Sequence, residues 1–516
     1  MACPRHPCHR IGPRAAFRGA NRINARRVPP QAETGWPEMT AEIALPRYDR
    51  SKLKPGIVHI GLGNFHRAHM AVYLDDLFNL GESHDWAIIG AGVRAPDSRM
   101  RDALKGQDCL STIIELDPAG KTCRRVGAMI DFLPVEADNA SLIAAMTDPA
   151  IRIVSLTVTE GGYFVNPATG KFDPSAPEIA ADGANPDKPA TAFGAIVAAL
   201  KARRAAGIAP FTVMSCDNLP GNGHVTHDAV IGTARLSDPD FADWIAANVA
   251  FPNGMVDRIT PATGPRERAM AASFGLGDDP VPVTCEPFRQ WVVEDNFPSG
   301  RPALEKVGVT FSDQVHAFEM MKIRILNGGH AIIAYPGGLM AIEYVHEAMA
   351  EPLIRDFLNK IETTEILPIV PPVPDTDLDA YKSRIIGRFS NPEIADTERR
   401  LCLDGSNRQP KFIIPSIRDN LARGVVPQGL VLASALWCRY CAGTDENGTV
   451  IAPNDPDWDR LTAVAQEART RPAAWLEQRA IYGDLADNAD FVAAFSRTLD
   501  ELWKNGTAAT IRAYLG

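Results

Sequence analysis

The chain has 516 residues, of which 45% are hydrophobic and 22% charged, and 53 Lys+Arg against 63 Asp+Glu give a net charge of −10. This is the composition of an ordinary folded protein and excludes a mainly disordered or fibrous chain; an acidic balance also argues against a nucleic-acid partner, which needs a basic face. The longest apolar run, 331–342, has 12 residues and contains Pro336, Gly337 and Gly338, whereas a membrane span needs about 20, so no membrane partner is expected.

Residues 1–39 differ from the rest. They carry seven arginines and two glutamates, a local charge of +5. Their six prolines forbid a continuous helix, and no apolar stretch long enough for a signal peptide occurs. A disordered tail, a targeting peptide and a translated upstream stretch ending at Met39 compete; 1–45 is set aside as a disordered or artefactual tail. The nine cysteines are scattered and odd in number, which fits a reducing, cytoplasmic setting. Cys438-Arg-Tyr-Cys441 is a lone CxxC without the second pair a structural zinc site wants, and reads as two core-facing cysteines on a helix. His66 and His69 are not followed by HExxH, and no metal is expected.

The first chemical signal is a strand–turn–helix. Residues 56–60, GIVHI, are a short β-branched run, Gly61-Leu62-Gly63 follows, and Met70, Tyr73, Leu74, Leu77 and Phe78 recur at helical spacing. In such a unit Gly61 permits the tight turn and Gly63 lets the backbone approach a pyrophosphate, which the helix start then binds. The third glycine of GxGxxG is replaced by His66, so an ordinary strand–helix turn remains open. The next strand, 86–93, ends near Asp97, an acid placed to accept ribose hydroxyls and favour NAD. Arg94 and Arg99 nearby leave NADP open, and Asp97 could equally be a helix cap. Strands at 151–159 and 211–215, with a helix over 189–206 between them, complete an alternation that predicts a doubly wound α/β sheet. Ligands in such sheets lie beyond the C-terminal strand ends, where Glu160 and Asn218 stand. Either could also be a turn residue.

The second signal is on a predicted helix, 315–335. Lys322, Asn327 and His330 fall at roughly 0°, 140° and 80° around an ideal α-helix, one broad face. Gly328 and Gly329 in its interior imply a close approach, by a ligand or by a neighbouring helix. A lysine in a dry pocket loses its proton more readily and can then take one from an alcohol. An asparagine amide can donate to the resulting alkoxide, and a histidine can orient a second hydroxyl. Taken singly, a solvated lysine and a structural histidine remain the simpler readings. The rest of 311–516 is predicted mainly helical, with segments near 428–442, 459–482 and 490–514.

Together these stretches resemble the polyol-specific long-chain dehydrogenases. The matching segments are GLGNFHRAH (61–69), SLTVTEGGY (155–163), FTVMSCDNLP (211–220), FPNGMVDRITP (251–261), CEPFRQWVVEDNF (285–297) and Lys322-x4-Asn327-x2-His330, in order over about 46–510. The resemblance implies a Rossmann-type dinucleotide-binding domain over 46–310 and a mainly helical substrate domain over 311–516. It further implies metal-independent, NAD-dependent oxidation of a sugar alcohol at a secondary hydroxyl, D-mannitol to D-fructose first, by a monomer whose partner is a small polyol or ketose. Lys322 matches the general base, Asn218 and Asn327 the oxyanion donors, His330 the residue positioning the reacting hydroxyl, and Glu160 an acid assisting proton movement. Asp257, Arg400, Arg408 and Lys411 match the substrate-binding region, with Arg408 standing where the family has a lysine. Gly61, Gly63, Asn64, Phe65, His66, Arg67 and Asp97 match the cofactor site. Alternatives are a fructuronate reductase, an arabinitol or sorbitol dehydrogenase, a zinc polyol dehydrogenase, and a nucleotide-sensing protein without turnover.

Overall fold

The computed structural model describes residues 43–166 and 169–516. Its organising element is a five-stranded sheet: β1 (Pro55–Ile60), β2 (Ala87–Ala91), β3 (Met129–Phe132), β4 (Ile153–Leu156) and β5 (Thr212–Ser215). All pairs are parallel, in the spatial order β3-β2-β1-β4-β5. This is the doubly wound dinucleotide-binding topology, with its switch point between β1 and β4. The strands are mostly buried and mainly apolar because helices cover both faces. Met70–Asn79 packs Val72, Leu74 and Phe78 on one side, and Ala192–Ala205 packs Phe193, Ile196 and Leu200 on the other. That second helix starts where Thr191 Oγ1 accepts the Gly194 N–H at 3.0 Å, the capping bond expected of a threonine there.

Two small sheets were not anticipated. Val283–Cys285, Ser111–Asp117 and Gly120–Val126 form one; Gly254–Asp257, Gln290–Val293 and Thr310–Phe311 form the other. Gly120–Val126 is mostly polar, with only Cys123 and Val126 buried, so it lacks the mainly apolar signature of the central strands. Most of the segment set aside as a tail, 1–45, lies outside the described residues. Within 43–45, Ala44 forms a β-bridge with Arg124.

The C-terminal half is helical around a single core that runs from Val315 to Ile511. Its predicted long helices are interrupted by identifiable breakers. The segment 459–482 is three helices, Trp458–Ala468, Ala473–Leu476 and Arg479–Tyr482, broken around Pro472, which cannot donate to the ladder. The segment 490–514 splits into Ala489–Asn505 and Thr507–Leu515 at Gly506, whose φ of +80° favours glycine. Cys438 and Cys441 lie in the core on Gln428–Cys441.

Candidate active site

The turn after β1 is built around two glycines with different duties. Gly61 has φ +99°, and a Cβ there would sit 2.1 Å from the Thr157 carbonyl oxygen, so the close packing of β1 on β4 requires glycine. At Gly63 an added Cβ meets nothing within 4 Å, and no side chain caps the helix Asn64–Ala68 that begins there. The helix start therefore faces open space with its N–H groups free for a phosphate. Beside it lies a cavity of about 520 Å³ lined by Asn64, Arg67, Met100, Thr263 and Arg268 among others. These features fit the dinucleotide that the topology implies.

Not all of the turn's side chains face that space. Asn64 Nδ2 donates to Pro261 O at 3.0 Å and Thr263 Oγ1 at 2.9 Å. Arg67 donates to Asn64 Oδ1 at 2.7 Å and Val281 O at 2.5 Å, and burial lowers its pKa to about 10. Phe65 stacks on His69 at 4.8 Å. His66, expected at the cofactor, instead lies beneath the turn: it is 1% exposed and stacks on His59 at 3.4 Å. Burial holds its imidazole neutral, with a pKa far below the ordinary value. Asp97 does stand just beyond β2, but Oδ2 accepts the Val93 and Arg94 N–H groups at 3.2 and 3.0 Å. It is not the helix cap left open above: Pro96 holds that position, no side chain caps the helix Asp97–Lys105, and the carboxylate instead ties back the loop after β2.

Three of the catalytic candidates, Lys322, Asn327 and His330, sit on one continuous helical stretch, 315–339, but its middle is not α. Val315–Met321 and Gly328–Leu339 are α-helical, while Lys322–Asn327 is a π-helix. Its i→i+5 bonding widens the turn, so residues five apart are separated by a smaller angle around the axis than in an α-helix. Lys322 and Asn327 are therefore brought together more closely than the 140° of an ideal α-helix suggests. Such bulges are frequent at functional sites. The close approach at Gly329 comes from two neighbouring helical segments: a Cβ there would lie 2.9 Å from Glu362 Oε1 and 3.2 Å from Phe389.

Lys322 is 6% exposed. Its Nζ donates to Asn218 Oδ1 at 2.6 Å and to the Val256 carbonyl at 2.5 Å. Burial is the main cause that lowers its pKa; Asp257 opposes the shift, Arg388 adds to it, and Glu319 opposes it. A neutral amine has two N–H bonds, matched here by two acceptors, and its lone pair is left for a third group. His330 stacks on Phe389 at 4.1 Å; burial, and then Arg400, Arg388 and Arg408, keep it uncharged.

Asp257 closes the strand Gly254–Asp257, and both its oxygens accept from Arg388, at 2.7 and 3.0 Å. The same guanidinium donates twice to Glu286, at 2.8 and 2.7 Å. All three groups are buried. The two carboxylates hold the guanidinium charged, and Arg388 in turn contributes to an Asp257 pKa below the usual carboxylate range despite burial. Asp257 is thus committed to an ion pair, and Arg388 is a site residue that the sequence did not disclose.

At the strand ends, Glu160 is exposed and opens the 3₁₀ turn Glu160–Tyr163. The preceding Thr159 has φ 65° and ψ 165°, a conformation nearly reserved for glycine that costs about 1–3 kcal/mol. Farther out, Arg400 pairs with Asp396, Arg408 donates to the Leu401 carbonyl at 3.0 Å, and Lys411 is exposed on the helix Gly405–Phe412.

Residues 55–306 match the mannitol dehydrogenase Rossmann domain, and residues 314–503 match the mannitol dehydrogenase C-terminal domain. This chain belongs to the mannitol dehydrogenase family. Within that family it is 68% identical to the mannitol 2-dehydrogenase of Cereibacter sphaeroides over 477 residues, 92% of this chain and all of that one. Among solved structures it is similar to the Pseudomonas fluorescens mannitol 2-dehydrogenase in ternary complex with NAD and D-mannitol. That match has 44% identity, a TM-score of 0.83, and covers 92% of this chain and 97% of the other. A substrate-free D-sorbitol dehydrogenase matches with 36% identity and a TM-score of 0.84 over 91% and 98%. Membership in the mannitol dehydrogenase family bears out the expected polyol-dehydrogenase class and the pairing of a Rossmann half with a helical one.

Proposed function

We propose that the protein is an NAD-dependent mannitol 2-dehydrogenase that oxidises the C2 hydroxyl of D-mannitol to give D-fructose. The observation that carries this reading is the buried Lys322 amine, bonded to Asn218 and the Val256 carbonyl beyond the strand ends of a dinucleotide-binding sheet. The 68% identity to a mannitol 2-dehydrogenase supports the choice of polyol.

The proposed division of labour follows from the chemistry. Residues 46–310 hold NAD at Gly61, Gly63, Asn64 and Arg67, and residues 311–516 hold the polyol. Asp97 receives the ribose through the lone pairs that its backbone bonds leave free. NAD, when bound, supplies the hydride acceptor. Lys322 takes the C2 hydroxyl proton on its free lone pair. Because the Asn218 carbonyl oxygen already accepts from Lys322, its NH₂ is left to stabilise the alkoxide, together with the amide of Asn327. Neutral His330 hydrogen-bonds the reacting hydroxyl and orients it. Glu160 receives the proton from Lys322 and passes it toward solvent. Arg400, Arg408 and Lys411 grip the remaining hydroxyls, and Asp257 accepts from one on lone pairs that its ion pair with Arg388 leaves free. No step needs a metal, and a chelator is expected to leave the rate unchanged. The enzyme works as a cytoplasmic monomer.

The sorbitol dehydrogenase likeness supports D-sorbitol as the second candidate. The deciding experiment is a panel of D-mannitol, D-arabinitol, D-sorbitol and D-mannonate, each with NAD and NADP. The highest kcat/KM is expected for mannitol with NAD; preference for mannonate would replace this function by the uronate reductase one.

A further inference from the structure

One buried carboxylate joins the ends of the two strands that carry Glu160 and Asn218. Asp217 is 8% exposed and directly precedes Asn218. Its Oδ2 accepts the Val158 N–H at 2.9 Å and the Tyr163 hydroxyl at 2.7 Å, while Oδ1 accepts the Thr159 N–H at 2.9 Å. Tyr163 is itself fully buried and shares its hydroxyl with Ser215 Oγ at 2.6 Å. From the other side, Asn222 Nδ2 donates to the Asp217 carbonyl at 3.1 Å and to the Gly254 carbonyl at 2.8 Å. The whole turn that carries Glu160 therefore hangs from one side chain at the end of β5.

The backbone gives this a purpose. Thr159 has φ 65°, where a side chain is disfavoured, and it is held there by the bond from its own N–H to Asp217. An alternative φ would turn that N–H away from the carboxylate and swing the following residue, Glu160, with it.

We propose that Asp217 is a positioning residue of the active site: its carboxylate fixes the strained Thr159 backbone and thereby sets Glu160 in register with Asn218 and Lys322. This rests on the catalytic reading above for Glu160 and Asn218. Asp217 does not touch substrate or cofactor. Asparagine in its place keeps the size but presents one acceptor oxygen instead of two, so the Val158 and Thr159 N–H groups can no longer both be met.

The test is a double-mutant cycle with mannitol and NAD on the full chain, using Asp217→Asn, Glu160→Gln and the pair. Asp217→Asn is expected to lower kcat about 10²-fold, the scale of a misplaced catalytic group, with KM within about threefold. The pair should be no slower than the slower single variant, because Glu160 is already out of place. Thr159→Gly added to Asp217→Asn should recover most of the loss, since glycine adopts the strained conformation without help. Losses that multiply, a KM effect alone, or no recovery would each overturn the proposal. If Asp217→Asn does not fold, Tyr163→Phe removes one of the three bonds and is expected to show the same coupling to Glu160→Gln; additivity there is equally contradictory. Wild-type protein without mannitol oxidation would refute the function itself, a separate outcome.

Discussion

At the scale of single residues, the proposed chemistry turns on the proton balance of Lys322. Its ammonium is disfavoured by burial and by Arg388, and favoured by Asp257 and Glu319; burial wins because few water molecules reach a group that is 6% exposed. A lysine acts as a base only when unprotonated, so oxidation fails as pH falls through its lowered pKa. The acid limb of kcat/KM against pH is therefore expected below the ordinary lysine value of about 10.4. Asp257→Asn removes an anion that favours the ammonium and should move that limb further down. An unshifted or upward-moving limb would mean that another group titrates.

At the scale of elements, the two glycines of the first turn separate folding from binding. Gly61→Ala places a Cβ 2.1 Å from a backbone oxygen at a positive φ and should lower the melting temperature sharply. Gly63→Ala meets nothing in the protein, so its melting temperature should stay within about 2 °C while NAD affinity, read by titration, falls at least tenfold. Equal effects of the two changes would contradict the assignment of open space at Gly63 to a phosphate. Four of the five central strands and the helix Ala192–Ala205 were legible because apolar runs and helical periodicity are local signals; β3, Met129–Phe132, was not, being four residues long and carrying Asp131. The motif of Lys322, Asn327 and His330 was legible as spacing, but the π turn was not, since no sequence pattern distinguishes i→i+5 from i→i+4 bonding here. His66 shows the same limit: its place in a cofactor motif does not say that its ring points inward onto His59. Arg388 was missed because its partner Asp257 is 131 residues away, and Val256 because it contributes only a backbone carbonyl.

At the scale of the molecule, the site exists where the Rossmann part and the helical part meet. Asp257 and Glu286 come from the first, and Arg388 from the second, with four hydrogen bonds between them. Removing one partner of such a buried pair typically costs about 3–5 kcal/mol, so this contact ties the two parts together as well as shaping the field at Lys322. Asn218 and Val256 likewise reach Lys322 from the opposite part, so the proposed base has its two partners only where the two parts meet. The most direct measurement is the turnover of Lys322→Ala with mannitol and NAD, beside its circular dichroism and NAD affinity. A loss of about 10²–10⁴ in kcat, the range for a general base, is predicted with fold and NAD binding kept. Turnover within a few-fold of the parent protein would contradict the account.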